Sequence, residues 1–196
     1  MNKTASDFIE KSVEKSTDRS HRQKINFNIG RYNAVVPVGK EQFDDVNLVR
    51  ERAKNIKWKA IESLDTQLEK FEAAITGRGA KVIWAETAEE AAEEVLKICK
   101  EKNCKTLVKS KSMVTEEIHL NHFLEEHNIE SVETDLGEYI QQLDGEPPYH
   151  IVTPAMHKSK EDVAKLFEEK LGTPSNLSPE NLTLEARKKL REKLTN

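Results

Sequence analysis

The stretch with the most concentrated chemistry is TLVKSKSMVTEEIHLNHFL, residues 106–124. Lys109, Lys111, Ser110, Ser112 and Thr115 put two ammonium groups and three hydroxyls into seven residues. The apolar run Thr106-Leu107-Val108 precedes them, and Leu120, Phe123 and Leu124 follow at helical spacing. The pattern predicts a strand–loop–helix unit. At such a junction free backbone N–H groups and the positive end of a helix dipole meet. With Lys109 and Lys111 added, the loop suits a phosphate or carboxylate. The plainer reading is that Ser112 and Thr115 are helix caps and the lysines are solvated.

Two other loops are expected to leave strand ends nearby. One begins Thr134-Asp135 and carries Glu138 and Gln142; the other, Pro154–Lys158, carries His157. In open parallel sheets ligands lie beyond the carboxyl ends of the strands. The three loops together would offer lysines, hydroxyls, carboxylates and an imidazole able to carry a proton near neutral pH. A surface or helix-capping role for His157 is the ordinary alternative. Glu116, His119 and His122 have the spacing of metal ligands on one helical face. A third zinc ligand or a second carboxylate-bearing helix is not evident, so no metal is assigned. Nucleophile-elbow, Walker and G-x-G-x-x-G motifs are absent.

The elements that would position these groups follow from periodicity. Residues 1–17 read as a frayed tail or a loosely docked helix anchored by Phe8, Ile9 and Val13. A helix with Ile25, Ile29 and Tyr32 on one face is expected to break near Pro37 and Gly39. A long helix over about 45–76 carries a stripe from Val46 to Ile75, expected to pack on its own domain, and Gly77 and Gly79 end it. Four strands are then predicted, at 81–85, 106–108, 129–133 and 150–153, alternating with helices. Thr87 and Glu90 form a capping box for the first of these, with Ala88, Ala92, Val95 and Cys99 inward. Ser159 with Asp162 starts another, and a basic helix closes the chain. This implies an α/β fold with a mainly parallel three-layer sheet.

The 196 residues suit one domain with a helical appendage: 1–44 as tail and helix, 45–196 as the α/β domain. A formal charge of −4 argues against a nucleic-acid partner. No stretch reads as a membrane span or signal peptide, so a cytoplasmic protein is expected. Cys99 and Cys104 are expected to be reduced thiols.

Four blocks carry a family resemblance: VKSKSMVTEEIHLNHFLEE (108–126), VETDLGEYIQQL (132–143), PPYHIVTPAMHKS (147–159) and VAKLFEEKLG (163–172). Together with RERAKNIKWKAIESLDTQLEKFEAAITGRGAKVIWAET (51–87), they resemble the LUD domain of the lactate-utilisation B family. The resemblance implies a Rossmann-like sheet similar to the sugar-phosphate isomerase and CoA-transferase superfamily. It implies a part in oxidising L-lactate to pyruvate within an electron-transfer complex, with other lactate-utilisation subunits as partners. Iron–sulfur clusters would belong to a cysteine-rich region that follows the LUD domain in that family. The chain stops at Asn196, where the family continues with glycine-rich strands. It is therefore expected to be a truncated domain, inactive alone, free of clusters, prone to homo-oligomerise, and with its final helix short of a packing partner. On this reading Lys109, Ser110, Lys111, Ser112, Thr115, Glu116 and Glu117 hold a carboxylate or phosphate. Asp135, Glu138 and His157 orient it or move protons. A non-catalytic scaffold and an enzyme acting on another small anionic metabolite are the alternatives.

Overall fold

The computed structural model describes residues 3–195 and divides into two compact units. One comprises Met1–Ile29 with Thr87–Asn196, the other Gly30–Glu86. The helices in chain order begin with α1 (Lys3–Thr17), α2 (Arg19–Lys40), α3 (Val46–Glu62), α4 (Leu64–Thr76) and α5 (Ala88–Glu101). Then come β1 (Thr106–Lys109), α6 (Met113–Glu117), α7 (Leu120–Glu126), β2 (Glu130–Glu133), α8 (Leu136–Asp144), α9 (Lys160–Leu171) and α10 (Pro179–Thr195).

The larger unit is α/β. β1 and β2 pair in parallel, with Leu107 opposite Ser131, Val108 opposite Val132 and Lys109 opposite Glu133. Successive strand residues point to opposite faces. Leu107 therefore meets one core, built from Ala92, Leu96 and Cys99 of α5, Leu120 and Leu124 of α7, and Ile129. Val132 meets the other, with Tyr139 and Ile140 of α8, Leu166 and Phe167 of α9, and Leu182, Ala186 and Leu190 of α10. The pair is thus sandwiched between helical layers. On the α5 face, Leu96 takes the inward place expected of Ala88, which is exposed.

Two predicted strands do not form. Residues 81–85 have no ladder partner in a unit whose regular elements are otherwise helical, and Ile83 and Trp84 are exposed. A lone strand is not stable without one. At 150–153 the backbone bends instead. The N–H groups of Val152 and Thr153 both donate to His150 Nδ1, at 3.1 and 3.2 Å. Such local side-chain bonds compete with a ladder. The outer edge of β2 is closed by a side chain: Glu133 N donates to Gln142 Oε1 at 3.0 Å, and Gln142 Nε2 donates to Ser131 O at 2.6 Å. One primary amide thus occupies a place a neighbouring strand would take.

The helices also depart from expectation. α2 does not break at Pro37 and Gly39 but continues to Lys40. Pro37 lies in the last turn, where its missing N–H removes one helical bond from an end about to terminate. The expected long helix is split at Ser63, whose hydroxyl donates to Lys59 O at 2.8 Å. This back-bonding bends helices. No residue of α3 or α4 is buried, so the expected packing of their apolar stripe is not found. α1 is a helix whose anchors Phe8, Ile9 and Val13 are exposed. α10, by contrast, has the packing partner it was expected to lack: Ala186 is 1% exposed in the second core, and Lys193 pairs with Glu130 at 2.7 Å.

α9 begins at the expected capping box. Ser159 Oγ accepts from Asp162 N, and Asp162 Oδ2 accepts from Ser159 N at 2.7 Å. Lys24 Nζ also donates to Asp162 at 2.5 Å. Burial pushes the Asp162 carboxyl up, but Lys24 and the two Ser159 bonds outweigh it and hold the pKa at about 2, against an ordinary 3.8. A lowered carboxyl pKa stabilises the fold above the ordinary value and loses that contribution as pH falls toward 2. Since 40% of the side chain remains in water, screening reduces the ionic part. Asp162→Ala is expected to cost about 1–2 kcal/mol at neutral pH. Urea unfolding should show the gap from wild type closing as the buffer approaches pH 2.

Candidate functional site

Lys109 and Glu133 close the two strands side by side, and their side chains form a buried ion pair. Lys109 Nζ also lies 3.2 Å from Glu116 Oε1 and 3.2 Å from Thr115 Oγ1. Asn121 of α7 donates to Glu133 Oε1 at 3.4 Å and accepts from Ser131 Oγ at 2.8 Å. Lys111 Nζ sits 3.6 Å from Glu138 Oε1 and is buried without a hydrogen-bond acceptor. Two ammonium groups therefore face three carboxylates, so the cluster is net negative with all groups ionised. Beside it lies a cavity of about 80 Å³, lined by Glu116, Asn121, Glu125, Glu133, Glu138, Gln141, Gln142, Glu146 and Pro148.

Glu138 is 4% exposed. Burial pushes its carboxyl above the ordinary 4.5; Lys111 opposes this, while Glu133, Glu116 and Asp135 add to it. For an acid raised in the fold, the unfolded chain sheds its proton first as pH increases. The folded state then loses stability from about pH 4.5 upward until its own pKa is passed. Glu138→Gln removes that penalty. The variant should melt above wild type at pH 7 to 8 and alongside it near pH 4, by roughly one to a few degrees on the usual scale. Paired thermal melts at the two pH values check this.

The structure brings Lys109, Thr115 and Glu116 together, and Lys111 with Glu138. The other expected residues make no ion pair within this set. Ser110 and Glu117 are exposed. Ser112 caps α6, its hydroxyl accepting from Thr115 N at 3.3 Å. Asp135 caps α8, its carboxylate accepting from the N–H groups of Gly137 and Glu138. Gly137 lets the Pro154 ring come close; a Cβ there would stand 3.0 Å from Pro154 Cδ.

His157 belongs to a second group. Its Nε2 lies 2.9 Å from Glu146 Oε2, its ring is tilted against Tyr149, and His21 Nε2 contacts the Tyr149 hydroxyl at 3.0 Å. Lys158 pairs with Asp144 and Glu146. Burial holds the His157 pKa below its ordinary value, the Glu146 bond opposing. His21, Asp144, His157 and Lys158 line a second cavity of about 320 Å³, with Lys24 and Asp162 on its wall. Glu146 lines the first cavity and bonds the imidazole of the second.

Helical spacing for metal ligands at 116, 119 and 122 is not realised. His119 adopts a left-handed conformation, φ 52°, between α6 and α7. Among the described residues no three His, Cys, Asp or Glu side chains gather as a metal cage. Cys99 is buried, and its thiol is pushed up first by burial and then by Cys104. Among the described residues no helix is long and apolar enough to cross a membrane.

Glu133, Asn121, Gln141 and Glu146 were not singled out from sequence. A signal for Glu133 existed: TLVK and ESVE are parallel neighbours, and each ends on a charged residue.

Parallel strands whose carboxyl ends carry a buried charged cluster define this as an α/β protein with its charged groups gathered at the strand ends. The chain belongs to the LUD domain family, which matches residues 68–196. It is 48% identical over 144 residues to lactate utilization protein B of Bacillus cytotoxicus, covering 74% of this chain and 30% of that protein. Lactate utilization protein B of Bacillus velezensis is 47% identical over 145 residues, with 74% and 30% covered. That of Macrococcus caseolyticus is 41% identical over 187 residues, with 95% and 37% covered. The chain thus spans about a third of the length of the curated relatives it matches. No solved structure matches it.

Proposed function

We propose that this chain is the LUD-domain portion of a lactate-utilisation protein, acting in the cytoplasm in the oxidation of L-lactate to pyruvate. The relatives' shared name supports lactate utilisation; the observation that carries a binding role is Lys111, a buried ammonium lacking a hydrogen-bond acceptor. A small carboxylate is the acceptor that suits it. Oxidising lactate to pyruvate releases two electrons and two protons. On this reading Glu138 takes one proton, and His157 with Glu146 is a second carrier further off. Lys109 is already engaged by Glu133 and Glu116, so it orders the site, and Asp135 orients Glu138 through α8. The electrons leave for an acceptor outside this chain, such as clusters on a partner subunit or on the further length of the relatives. In that longer protein β1 and β2 would be the start of a wider Rossmann-like sheet, with 45–196 as the LUD-like part.

The test is binding first. L-lactate or pyruvate at millimolar concentration should raise the melting temperature of the chain, and Lys111→Ala should abolish the shift. A shift given by inorganic phosphate alone would move the reading to a phosphorylated metabolite. No shift with any of the three would overturn it. A docking role is favoured by one separate observation: no residue of α3 or α4 is fully buried. Light scattering that finds a stable oligomer would support that role.

A further inference from the structure

We propose that the 80 Å³ cavity beside the strand ends is a binding site for a hard divalent cation of the Mg²⁺ class, held by Glu133, Glu138 and the Gln141 amide oxygen. Acidic lining alone would not make it one. The second observation is that Glu133 Oε2, Glu138 Oε1 and Gln141 Oε1 are buried without hydrogen-bond partners. The three residues are 2%, 4% and 1% exposed, and all three line the cavity. Buried oxygens normally find a donor. Of the nearby donors, Lys111 Nζ faces Glu138 Oε1 only at 3.6 Å, beyond hydrogen-bond reach, and the others are engaged elsewhere. Lys109 and Asn121 serve Glu133 Oε1, and Gln141 Nε2 is committed to Pro147 O at 3.0 Å.

The three atoms are all oxygens, the ligand type preferred by Mg²⁺, Mn²⁺ and Ca²⁺ over softer metals. Mg²⁺ commonly uses only one or two carboxylates and keeps several waters. Two carboxylates, an amide oxygen and water therefore suffice, although no three acidic or imidazole groups gather among the described residues. The cavity has room for an ion with a few waters. A dication would turn the charge of three carboxylates and two ammonium groups from −1 to +1, which suits the entry of an anion. By taking up the charge of Glu138 it would leave Lys111 for an incoming carboxylate. That consequence rests on the lactate reading; the site itself does not.

Titration with MnCl₂ alone, followed by electron paramagnetic resonance and without lactate or pyruvate, tests the site apart from that reading. One Mn²⁺ per chain should bind with submillimolar affinity and be displaced by MgCl₂. Glu138→Gln, which keeps the shape and relieves a buried charge, should weaken binding at least tenfold. Glu101→Gln, at an exposed residue ending α5, should leave it unchanged. Absence of bound Mn²⁺ up to several millimolar would overturn the proposal, the cavity then holding a proton or water. Weak, multiple binding that Glu138→Gln leaves intact would overturn it equally.

Discussion

Lys109→Met is expected to destabilise the chain by roughly 3–5 kcal/mol, the range for removing one partner of a buried ion pair. The side chains of Lys109 and Glu133 are 9% and 3% exposed. Methionine matches the length of the lysine stem and fills its volume, so packing loss contributes little. The cost comes from Glu133, left as a buried carboxylate with Asn121 as its remaining donor. Glu116 also loses its ammonium partner, but it is more exposed and water can solvate it. For a chain of this size the melting temperature should fall on the order of 10 °C. The double variant Lys109→Met with Glu133→Gln should recover most of the loss, since it removes the stranded charge and keeps an amide to bond Asn121. Urea unfolding of the four proteins in this cycle gives the coupling directly. A single variant costing under about 1 kcal/mol would mean that the pair is solvated, as surface pairs are. The outcome bears on function because Lys109 can hold a ligand only by giving up Glu133. A large coupling supports its assignment as an ordering residue and leaves Lys111 as the cation for binding.

Much of the larger unit was legible because local signals and tertiary packing agree there. Thr87, Asp135 and Ser159 each precede an amphipathic run, and each caps the helix that follows. Gly145 and Gly172 stand in left-handed conformations where α8 and α9 end. The strand–loop–helix at 106–124 was legible for the same reason. Residues 81–85 and 150–153 were not, because an apolar run states a preference for burial, while a strand also needs a partner ladder. The sign of the site was likewise hidden. Lys109 and Lys111 suggest an anion site in one dimension, but parallel register and α8 bring Glu133 and Glu138 onto them in three. Loop position groups His157 with them; the fold gives it Glu146 and Tyr149 instead.

Phe167→Ala is expected to cost about 3–5 kcal/mol, whereas Phe71→Ala should stay within about 0.5 kcal/mol. The residue type is the same and the setting opposite. Phe167 is 0% exposed, at the centre of the core shared by β2, α8, α9 and α10; Phe71 on α4 is 54% exposed. Truncating Phe167 removes its transfer free energy and leaves a hole where those helices meet, and a core built by several elements relaxes poorly around it. The loss should spread to the site, because α8 carries Glu138, Gln141 and Gln142. Amide exchange along β2 and α8 should quicken together in Phe167→Ala, as one cooperative unit opening. Phe71 tests the other unit. If Phe71→Ala costs as much as the buried truncation, the α3–α4 stripe is covered in solution. Concentration-dependent melting would then identify a second copy of the chain as the cover. If the cost is negligible, the stripe stands free on the isolated chain, and the stability of the α/β unit rests on its own two cores.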